Sequence, residues 1–270
     1  MQVLYARSMW GMKEPTLEAN LVKIKEGGFD AVEMGAPHDA GERKDLRRLL
    51  DKLGLKIIVQ QWTGGKSPDE HQASFEEQFR RGAELKPLLI NSHTGRDIYS
   101  AEQNVAILRR AGEIERELAV PCAHEVHRGR ATFCTNSTLA LLDRLPELKL
   151  TADFSHWCCV HESLLQDQPE ALERAIARSF HIHARVGHGE APQVSDPRAP
   201  EWKEAVDVHV GWWQRIVARR HAEKAQVMTI TPEFGPPGYM PTLPYTRQPV
   251  ADLWEVNLHM KELLKQRLTA

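Results

Sequence analysis

Residues 87–127, PLLINSHTGRDIYSAEQNVAILRRAGEIERELAVPCAHEVH, contain one complete repeat of the unit that decides the fold. Two runs of strand length, 87–93 and 120–127, enclose a segment whose apolar residues recur at helical spacing. Those apolar residues are Ile107, Ala111, Ile114 and Leu118. Ser100, followed three residues later by Gln103, is a typical helix start signal. The stretch therefore predicts a strand, a helix and a second strand.

The same pattern extends along the whole chain. Runs of strand length occur at 2–7, 29–35, 55–61, 87–93, 120–127, 148–154, 179–186 and 226–234. They recur about every thirty residues, the length of one βαβ unit with its crossover helix, which indicates parallel strands. Eight such strands with eight helices in 270 residues match a (β/α)8 barrel better than an open doubly wound sheet. We therefore predict one TIM-barrel domain spanning residues 1–270.

The composition is that of a globular protein and excludes several other classes. Lys and Arg number 35 against 37 Asp and Glu, and 41% of residues are hydrophobic, which suffices for one sizeable core. No apolar stretch approaches the roughly 20 residues of a membrane helix, and the sequence enters its first predicted strand at residue 2 without the basic region and cleavage site typical of a signal peptide. We therefore expect a cytoplasmic protein with no membrane partner. The cysteines predict no disulfide framework; they are Cys122, Cys134, Cys158 and Cys159.

Four potential ligands for a divalent cation lie at the ends of the last four predicted strands. They are Glu125, Asp153, His183 and Glu233. The active site of a parallel barrel lies at the C-terminal ends of its strands, so these side chains converge on one mouth. Alternation along each strand allows each of them to point inward. Buried carboxylates clustered without a cation would repel and raise one another's pKa, which favours a metal site over four unrelated ion pairs.

Four runs of sequence resemble the metal-binding strands of the xylose isomerase-like TIM barrels. The runs are HEVHRGR (124–130), ADFSHW (152–157), HIHARVG (181–187) and TPEFGPP (231–237). That superfamily contains sugar phosphate isomerases and epimerases, ketose 3-epimerases, inosose dehydratases and endonuclease IV. The resemblance implies that Glu125, Asp153, His183 and Glu233 hold one divalent metal ion. His181 is the alternative to His183 as the histidine ligand.

The resemblance also implies an isomerase or epimerase that acts on a small sugar or sugar derivative. A divalent cation polarises a ketose carbonyl and its neighbouring hydroxyl, which lowers the cost of the enediolate formed when a C–H proton leaves. Epimerisation needs a base on each face of that intermediate, and Glu125 and Glu233 are the predicted acid/base pair. The donor set suits Mn²⁺ or Mg²⁺ by hardness and Zn²⁺ or Co²⁺ through its histidine. Isomerisation, epimerisation and inosose-type dehydration all stay open.

Further substrate contacts are predicted around the same mouth. The resemblance assigns His156, three residues after Asp153, to substrate binding as in the ketose epimerases, whereas the matching histidine of endonuclease IV binds a second metal ion. Arg185 and Arg128 are the best candidates to bind a phosphate or carboxylate group of the substrate, because guanidinium groups bind such anions bidentately. The remaining candidates are His93, His127, Trp10, Trp62 and, with a standing similar to that of His93, Glu33. Tryptophan suits this role because sugar rings present apolar C–H faces to aromatic side chains.

The competing hypothesis is a DNA-repair phosphodiesterase of the endonuclease IV type. Such an enzyme needs several metal ions and a basic surface for the phosphate backbone. The chain has Gln60 and Gln61 where that family has a histidine, and Asp196-Pro197-Arg198 replaces an Asp-x-His pair. We therefore expect a small carbohydrate and not a nucleic acid as the partner. Related barrels are commonly dimers or tetramers, which leaves homo-oligomerisation open.

Overall fold

The computed structural model describes residues 1–268, which fold into eight strands that alternate with helices. The strands are β1 Gln2–Ser8, β2 Ala31–Met34, β3 Lys56–Trp62, β4 Leu89–His93, β5 Cys122–Glu125, β6 Leu150–Ala152, β7 Ser179–His183 and β8 Val227–Thr231. The α-helices within these residues are α1 Leu17–Glu26, α2 Ala40–Leu53, α3 Pro68–Ala83, α4 Ala101–Leu118, α5 Thr135–Arg144, α6 Ser155–Val160, α7 Pro169–Ile176, α8 Lys203–Ala222 and α9 Leu253–Arg267. A short 3₁₀ helix, Pro200–Trp202, precedes α8.

The strands form a closed parallel barrel in chain order. Each strand pairs with the next, and β1 pairs with β8 from Gln2 opposite Val227 to Tyr5 opposite Ile230. The predicted (β/α)8 barrel is therefore confirmed, and every predicted strand overlaps an observed one. Several strands end earlier than predicted, because the backbone leaves the hydrogen-bonded ladder at the mouth. Asp153 and Glu233 consequently lie just beyond β6 and β8.

Two apolar layers hold the barrel together. Small and aliphatic side chains fill the lower interior: Ala6, Ala31, Ile58, Leu89 and Ala123. A larger core lies between the outer faces of the strands and the helices, and includes Leu21, Ile24, Phe75, Phe79 and Trp213. Above this small interior layer, the side chains that point into the barrel are polar and buried.

The helix start signals read from the sequence are present in the structure. The Ser100 hydroxyl accepts a hydrogen bond from the Gln103 N–H, and the Gln103 side chain accepts one from the Ser100 N–H. This reciprocal pair satisfies donors that the first turn of α4 would otherwise leave unpaired. Among residues 1–268, no helix combines the length and apolar character needed to cross a bilayer. The cytoplasmic location stays a prediction.

Asn257 of α9 fixes the backbone immediately after Glu233. Its side chain is fully buried, accepts a hydrogen bond from the Phe234 N–H at 3.1 Å and donates to the Phe234 carbonyl at 3.1 Å. It also donates to the Leu253 carbonyl at 2.7 Å. One amide group therefore ties the end of the β8 segment to the first turn of α9.

We expect Asn257→Ala to lower the free energy of unfolding by about 2–3 kcal/mol, because it leaves buried backbone groups of Phe234 unpaired. Chemical denaturation measures the change. Asn136→Ala, on the exposed face of α5, is the control and should change stability by less than about 0.5 kcal/mol. Equal stability of the two variants would contradict the assigned role of Asn257.

Candidate metal centre and active site

The four predicted cation ligands converge at the mouth of the barrel. Glu125 and His183 are the last residues of β5 and β7, whereas Asp153 follows β6 directly and Glu233 lies two residues beyond β8. One donor atom from each lies within 4.8 Å of the others. All four side chains are buried, with exposed fractions of 3% or less. The structure thus brings the predicted set together.

The imidazole of His183 lies at the centre of this cluster. Its Nδ1 is 2.8 Å from Glu233 Oε2 and 3.3 Å from Glu125 Oε2. Its Nε2 is 2.9 Å from Glu33 Oε1 on β2. Burial alone lowers the pKa of His183, but the three carboxylates outweigh burial and raise the pKa well above its usual range. His183 is therefore an imidazolium in the protein without a bound cation.

The buried charges at the mouth do not balance. Glu33 and the three acids of the cluster supply four carboxylates, and the buried guanidinium groups of Arg7 and Arg185 oppose them. With Asp153 ionised and His183 neutral, as coordination of a metal ion requires, two negative charges are left over, which one divalent cation would balance. Burial raises the pKa of Asp153 to about 7, as expected for a carboxyl group in such surroundings.

Three atoms of the cluster are buried without a hydrogen-bond partner among the described residues. They are Glu125 Oε1, Asp153 Oδ2 and His183 Nδ1; the last two have charged neighbours at ion-pair distance but none in hydrogen-bond geometry. Buried polar atoms in folded proteins are nearly always paired, so unpaired ones call for a ligand or an ion. Three carboxylates and one imidazole are a suitable donor set for a divalent metal ion. Charge, burial and donor chemistry therefore all fit a cation at this position.

Arg185 bridges two members of the cluster. Its Nη2 contacts Glu233 Oε2 and lies 3.3 Å from Asp153 Oδ2. The guanidinium packs over the ring of Tyr239 at 4.5 Å and near Trp10 at 5.6 Å. Within residues 1–268, its Nε and Nη1 have no hydrogen-bond partner. Arg185, predicted as a substrate contact, therefore already neutralises ligand carboxylates and still has donors to offer.

Three predicted substrate-contacting histidines form a row across β4, β5 and the segment after β6. His93 Nε2 is 2.8 Å from Glu125 Oε2, and the His93 and His127 ring centroids are 4.8 Å apart. The rings of His127 and His156 follow at 3.9 Å. Burial, assisted by neighbouring positive charge, holds the pKa of His156 well below its usual range. His156 is fully buried, and its Nε2 lies 3.6 Å from Asp153 Oδ2. Neither of its ring nitrogens has a hydrogen-bond partner in the part of the chain that the structure describes.

A second polar layer lies directly below the cluster. Glu33 Oε2 is 3.3 Å from His181 Nε2 and accepts a hydrogen bond from the Thr231 hydroxyl at 2.5 Å. Asn91 donates to Glu33 at 3.1 Å and to Glu125 at 2.8 Å. His181, the alternative ligand, therefore faces Glu33 and not the other three carboxylates. Sequence reasoning missed Asn91, although its position two residues before His93 places both on the inward face of β4.

A cavity of about 490 Å³ opens above the cluster. It is lined by Met9, Trp10, Glu33, Met34, Gly35, Gln60, Trp62, His93, His127, Arg185, Glu233 and Tyr239. The predicted contacts Trp10 and Trp62 are among these residues. Arg128 is not among them. Its side chain is exposed, and its guanidinium lies 5.2 Å from the centroid of the Tyr239 ring.

The chain belongs to the xylose isomerase-like TIM barrel family, whose model matches residues 21–207, more than half of its length. None of the curated proteins compared with it matches in sequence. Similarity to solved structures extends over the entire barrel, at identities so low that they show the fold alone.

Three solved structures illustrate how broad this similarity is. A D-tagatose 3-epimerase-like protein matches with a TM-score of 0.68 and 16% identity, over 98% of this chain and 97% of that one. A xylose isomerase-like TIM barrel protein from Mycobacterium smegmatis, in complex with magnesium, has a TM-score of 0.67 and 13% identity over 98% and 96%. Endonuclease IV from Thermus thermophilus has a TM-score of 0.61 and 14% identity over 98% of both chains. The fold therefore does not choose among these activities.

We expect opposite protonation states for two histidines of this site in the metal-free protein. At the pH where an ordinary histidine is half protonated, His183 should be charged, because the surrounding carboxylates raise its pKa well above the usual value, and His156 should be neutral, because burial lowers its pKa well below that value. Correlation spectra of ¹⁵N-labelled histidine rings distinguish the two states, and His156→Asn assigns one set of signals. A titration midpoint at or below the usual histidine value for His183, or at or above it for His156, would contradict this electrostatic picture.

Proposed function

We propose that the protein is a divalent-metal-dependent isomerase or epimerase of a small sugar or sugar derivative. It would remove a proton next to a carbonyl group to form an enediolate, with Glu125 and Glu233 as the acid/base pair. The observation that carries the proposal is the convergence of three carboxylates and one imidazole within 4.8 Å at the floor of an open cavity. Family membership supports an enzyme of this general type.

The residues proposed to hold the cation are Glu125, Asp153, His183 and Glu233. Their buried atoms without a hydrogen-bond partner among the described residues, and the two negative charges that remain once His183 is neutral, support one divalent ion, and the magnesium complex of the mycobacterial barrel is consistent with it. When bound, the ion would stabilise negative charge that develops on the substrate oxygens. Glu33 would then hold His183 in the tautomer whose Nδ1 is free to coordinate, since its carboxylate faces Nε2.

The proposed acid/base residues approach the site from different sides of the barrel. Glu125 lies on β5 and Glu233 follows β8, and both contact the same nitrogen of His183. Burial raises the pKa of each, but the charge of neighbouring side chains outweighs it, so both pKa values lie below the usual range for Glu. Both groups are therefore carboxylates at neutral pH and able to accept a proton from carbon. Arg185 would balance the charge of Glu233 as protons move.

The residues that differ from the endonuclease IV pattern make other contacts in this structure. Gln60 donates to Glu233 Oε1 at 3.3 Å and lies 3.3 Å from His93 Nε2, which gives a polar contact where a further ligand would be needed. Arg198 pairs with Asp196 at 2.6 Å. These contacts support a single cation and favour sugar chemistry over phosphodiester cleavage.

We expect deuterium from D₂O to enter the carbon next to the carbonyl of the substrate when the protein carries its cation. An NMR screen of ketoses, ketose phosphates and inososes with Mg²⁺, Mn²⁺, Zn²⁺ or Co²⁺ detects this exchange and separates epimerisation, isomerisation and dehydration by product. Glu125→Gln and Glu233→Gln should each reduce turnover by about 10²- to 10⁴-fold, the usual contribution of a general acid or base.

The controls for this experiment separate loss of a base from loss of the cation. Elemental analysis of the same samples shows whether each variant still holds metal, and Glu190→Gln, exposed in the loop after β7, should behave as the native protein. Undiminished exchange into both epimers by both variants would refute the two-base assignment. Absence of exchange with every sugar and cation would refute the proposed function.

We also expect cation binding to have a stoichiometry of one, to release protons and to depend on Glu33. Coordination requires neutral His183, whose pKa is raised in the metal-free protein, so a proton must leave and affinity should rise with pH. Titration calorimetry with Mn²⁺ measures the stoichiometry and the affinity. Repeating it in buffers of different ionisation enthalpy gives the number of protons released. Glu33→Gln should weaken binding about 10-fold or more, as for other residues that orient a metal ligand.

Glu190→Gln again serves as the matched control, because it removes a carboxylate of the same size from the surface. Thermal unfolding of the Glu33→Gln protein shows whether its fold is intact. Native affinity in that folded variant would contradict the positioning role of Glu33, and binding without proton release would contradict the protonated state of His183.

A further inference from the structure

The large apolar side chains that are exposed all lie at one end of the barrel. Among residues 1–268 they are Trp10, Trp62, Ile98, Val160, Leu243, Tyr245 and Val250. Trp62 is the last residue of β3, Val160 is the last residue of the short helix α6, and the others lie in the loops after β1, β4 and β8. Single exposed apolar residues are ordinary on a protein surface, but their concentration on one face marks an interaction site.

The substrate cavity accounts for only two of the seven. Trp10 and Trp62 line it, and the C–H face of a sugar would cover them. The other five are not among the residues that line the cavity, and one of them, Ile98, is 73% exposed. A sugar bound at the candidate metal centre would therefore leave five apolar side chains in contact with water.

Three of these five belong to one projecting segment, residues 241–250, which we call the arm. Nine of its ten residues are exposed. The Leu243 N–H donates to the Gln248 carbonyl at 2.8 Å, and the Val250 N–H donates to the Pro241 carbonyl at 3.1 Å. Within residues 1–268, the hydrogen bonds of the arm are internal, and no salt bridge joins it to the barrel. The arm thus has its own hairpin-like structure and leaves its side chains open to another surface.

The backbone of the arm is restricted to this conformation. Pro241, Pro244 and Pro249 each fix one φ angle. Tyr245 and Arg247 have positive φ angles of 63° and 55°, a region that residues other than glycine seldom adopt. A restricted segment loses less conformational entropy when it binds than a flexible one. The arm is therefore suited to form a contact with a partner.

The other two apolar residues have acidic residues beside them in the chain. Asp97 precedes Ile98, and Glu162 follows Val160 by two residues. We call these four residues, in the segments after β4 and β6, the rim. Glu162 is exposed and has no salt bridge among the described residues, and the one salt bridge of Asp97 is long at 3.9 Å. The single charge of the arm is Arg247, so the arm and the rim are both apolar and opposite in charge.

The arm alone is too small for a stable interface. A standard interface has roughly 20 to 30 residues on each side, and the arm has ten. In a twofold dimer the same contact forms twice, because the arm of each copy meets the rim of the other. An unrelated protein bound to the arm would leave the rim uncovered. A second copy of the chain therefore accounts for both surfaces.

We propose that the arm packs against the rim of a second copy of this chain in a twofold dimer. The apolar side chains of the arm lie beside Ile98 and Val160 of the other copy, and Arg247 faces the carboxylates of that rim. The contact covers the five apolar residues outside the cavity and does not use the cavity lining. It is independent of the proposed function, since neither the arm nor the rim contains a candidate metal ligand.

Sedimentation velocity of the full chain at micromolar concentrations tests the dimer. The native protein should sediment as a dimer. The arm variant Leu243→Ser/Tyr245→Ser and the rim variant Ile98→Ser/Val160→Ser should each raise the dissociation constant about 100-fold or more, because every substitution acts twice in the dimer. Gln226→Ser, exposed at the opposite end of the barrel, is the control and should leave the dimer unchanged.

A mixture of the arm variant and the rim variant tests which surfaces meet. A mixed dimer keeps one native contact, between the arm of the rim variant and the rim of the arm variant. The mixture should therefore form dimers at concentrations where each variant alone is monomeric. Arg247→Glu, which leaves all apolar side chains in place, should weaken the native dimer about 10-fold or more through like charge at the rim.

Four results would overturn the inference: a monomeric native protein, a native dissociation constant in the arm variant or in Arg247→Glu, a native dissociation constant in the rim variant, or a mixture that dimerises no better than its components. Thermal unfolding confirms that each variant is folded, and Arg247→Glu decides the outcome if a double variant is not. A monomer that exchanges deuterium into a sugar would refute the dimer and leave the proposed function standing.

Discussion

The electrostatic interaction between His183 and the carboxylates around it determines how the upper half of this barrel is organised. Glu33, Glu125 and Glu233 all contact the two nitrogens of one buried ring. Like charges so close together in a low-dielectric interior are costly unless positive charge lies among them. The imidazolium and the guanidinium of Arg185 supply part of that charge. A divalent cation would supply the remainder and displace the proton.

The need to stabilise these buried charges explains how the barrel interior is organised. Small side chains such as Ala6 and Ala123 close the lower barrel, which leaves the depth above them for a layer of hydrogen-bonded polar groups. Asn91 connects the two layers, because its amide donates to both Glu33 and Glu125. A network of this kind is most stable when its members are paired, and the cluster atoms without a hydrogen-bond partner among residues 1–268 are therefore the ones that a bound ion would satisfy. The packed apolar layer therefore lies below the site, and the candidate functional residues lie at the mouth of the barrel.

Much of the site could be predicted from sequence, for a reason that lies in the strands. A residue at the end of a parallel strand must reach the common mouth, and alternation decides whether it points inward. Glu125 and His183 met both conditions, and the structure brings them together. Their partners were harder to predict, because Glu33 and His183 are 150 residues apart and meet only across the closed barrel. The bridging position of Arg185 likewise depends on the register between β7 and β8.

The sequence by itself determined the alternation of strands and helices, the barrel that follows from it and the set of donor residues at its mouth. Local spacing suffices for these, because strand periodicity and βαβ length are properties of neighbouring residues. Only the tertiary structure decided that His181 faces Glu33 in the lower layer, that Arg128 lies outside the cavity and that Trp10 and Trp62 enclose it. Those outcomes depend on barrel closure, which sets distances between side chains that no local pattern encodes.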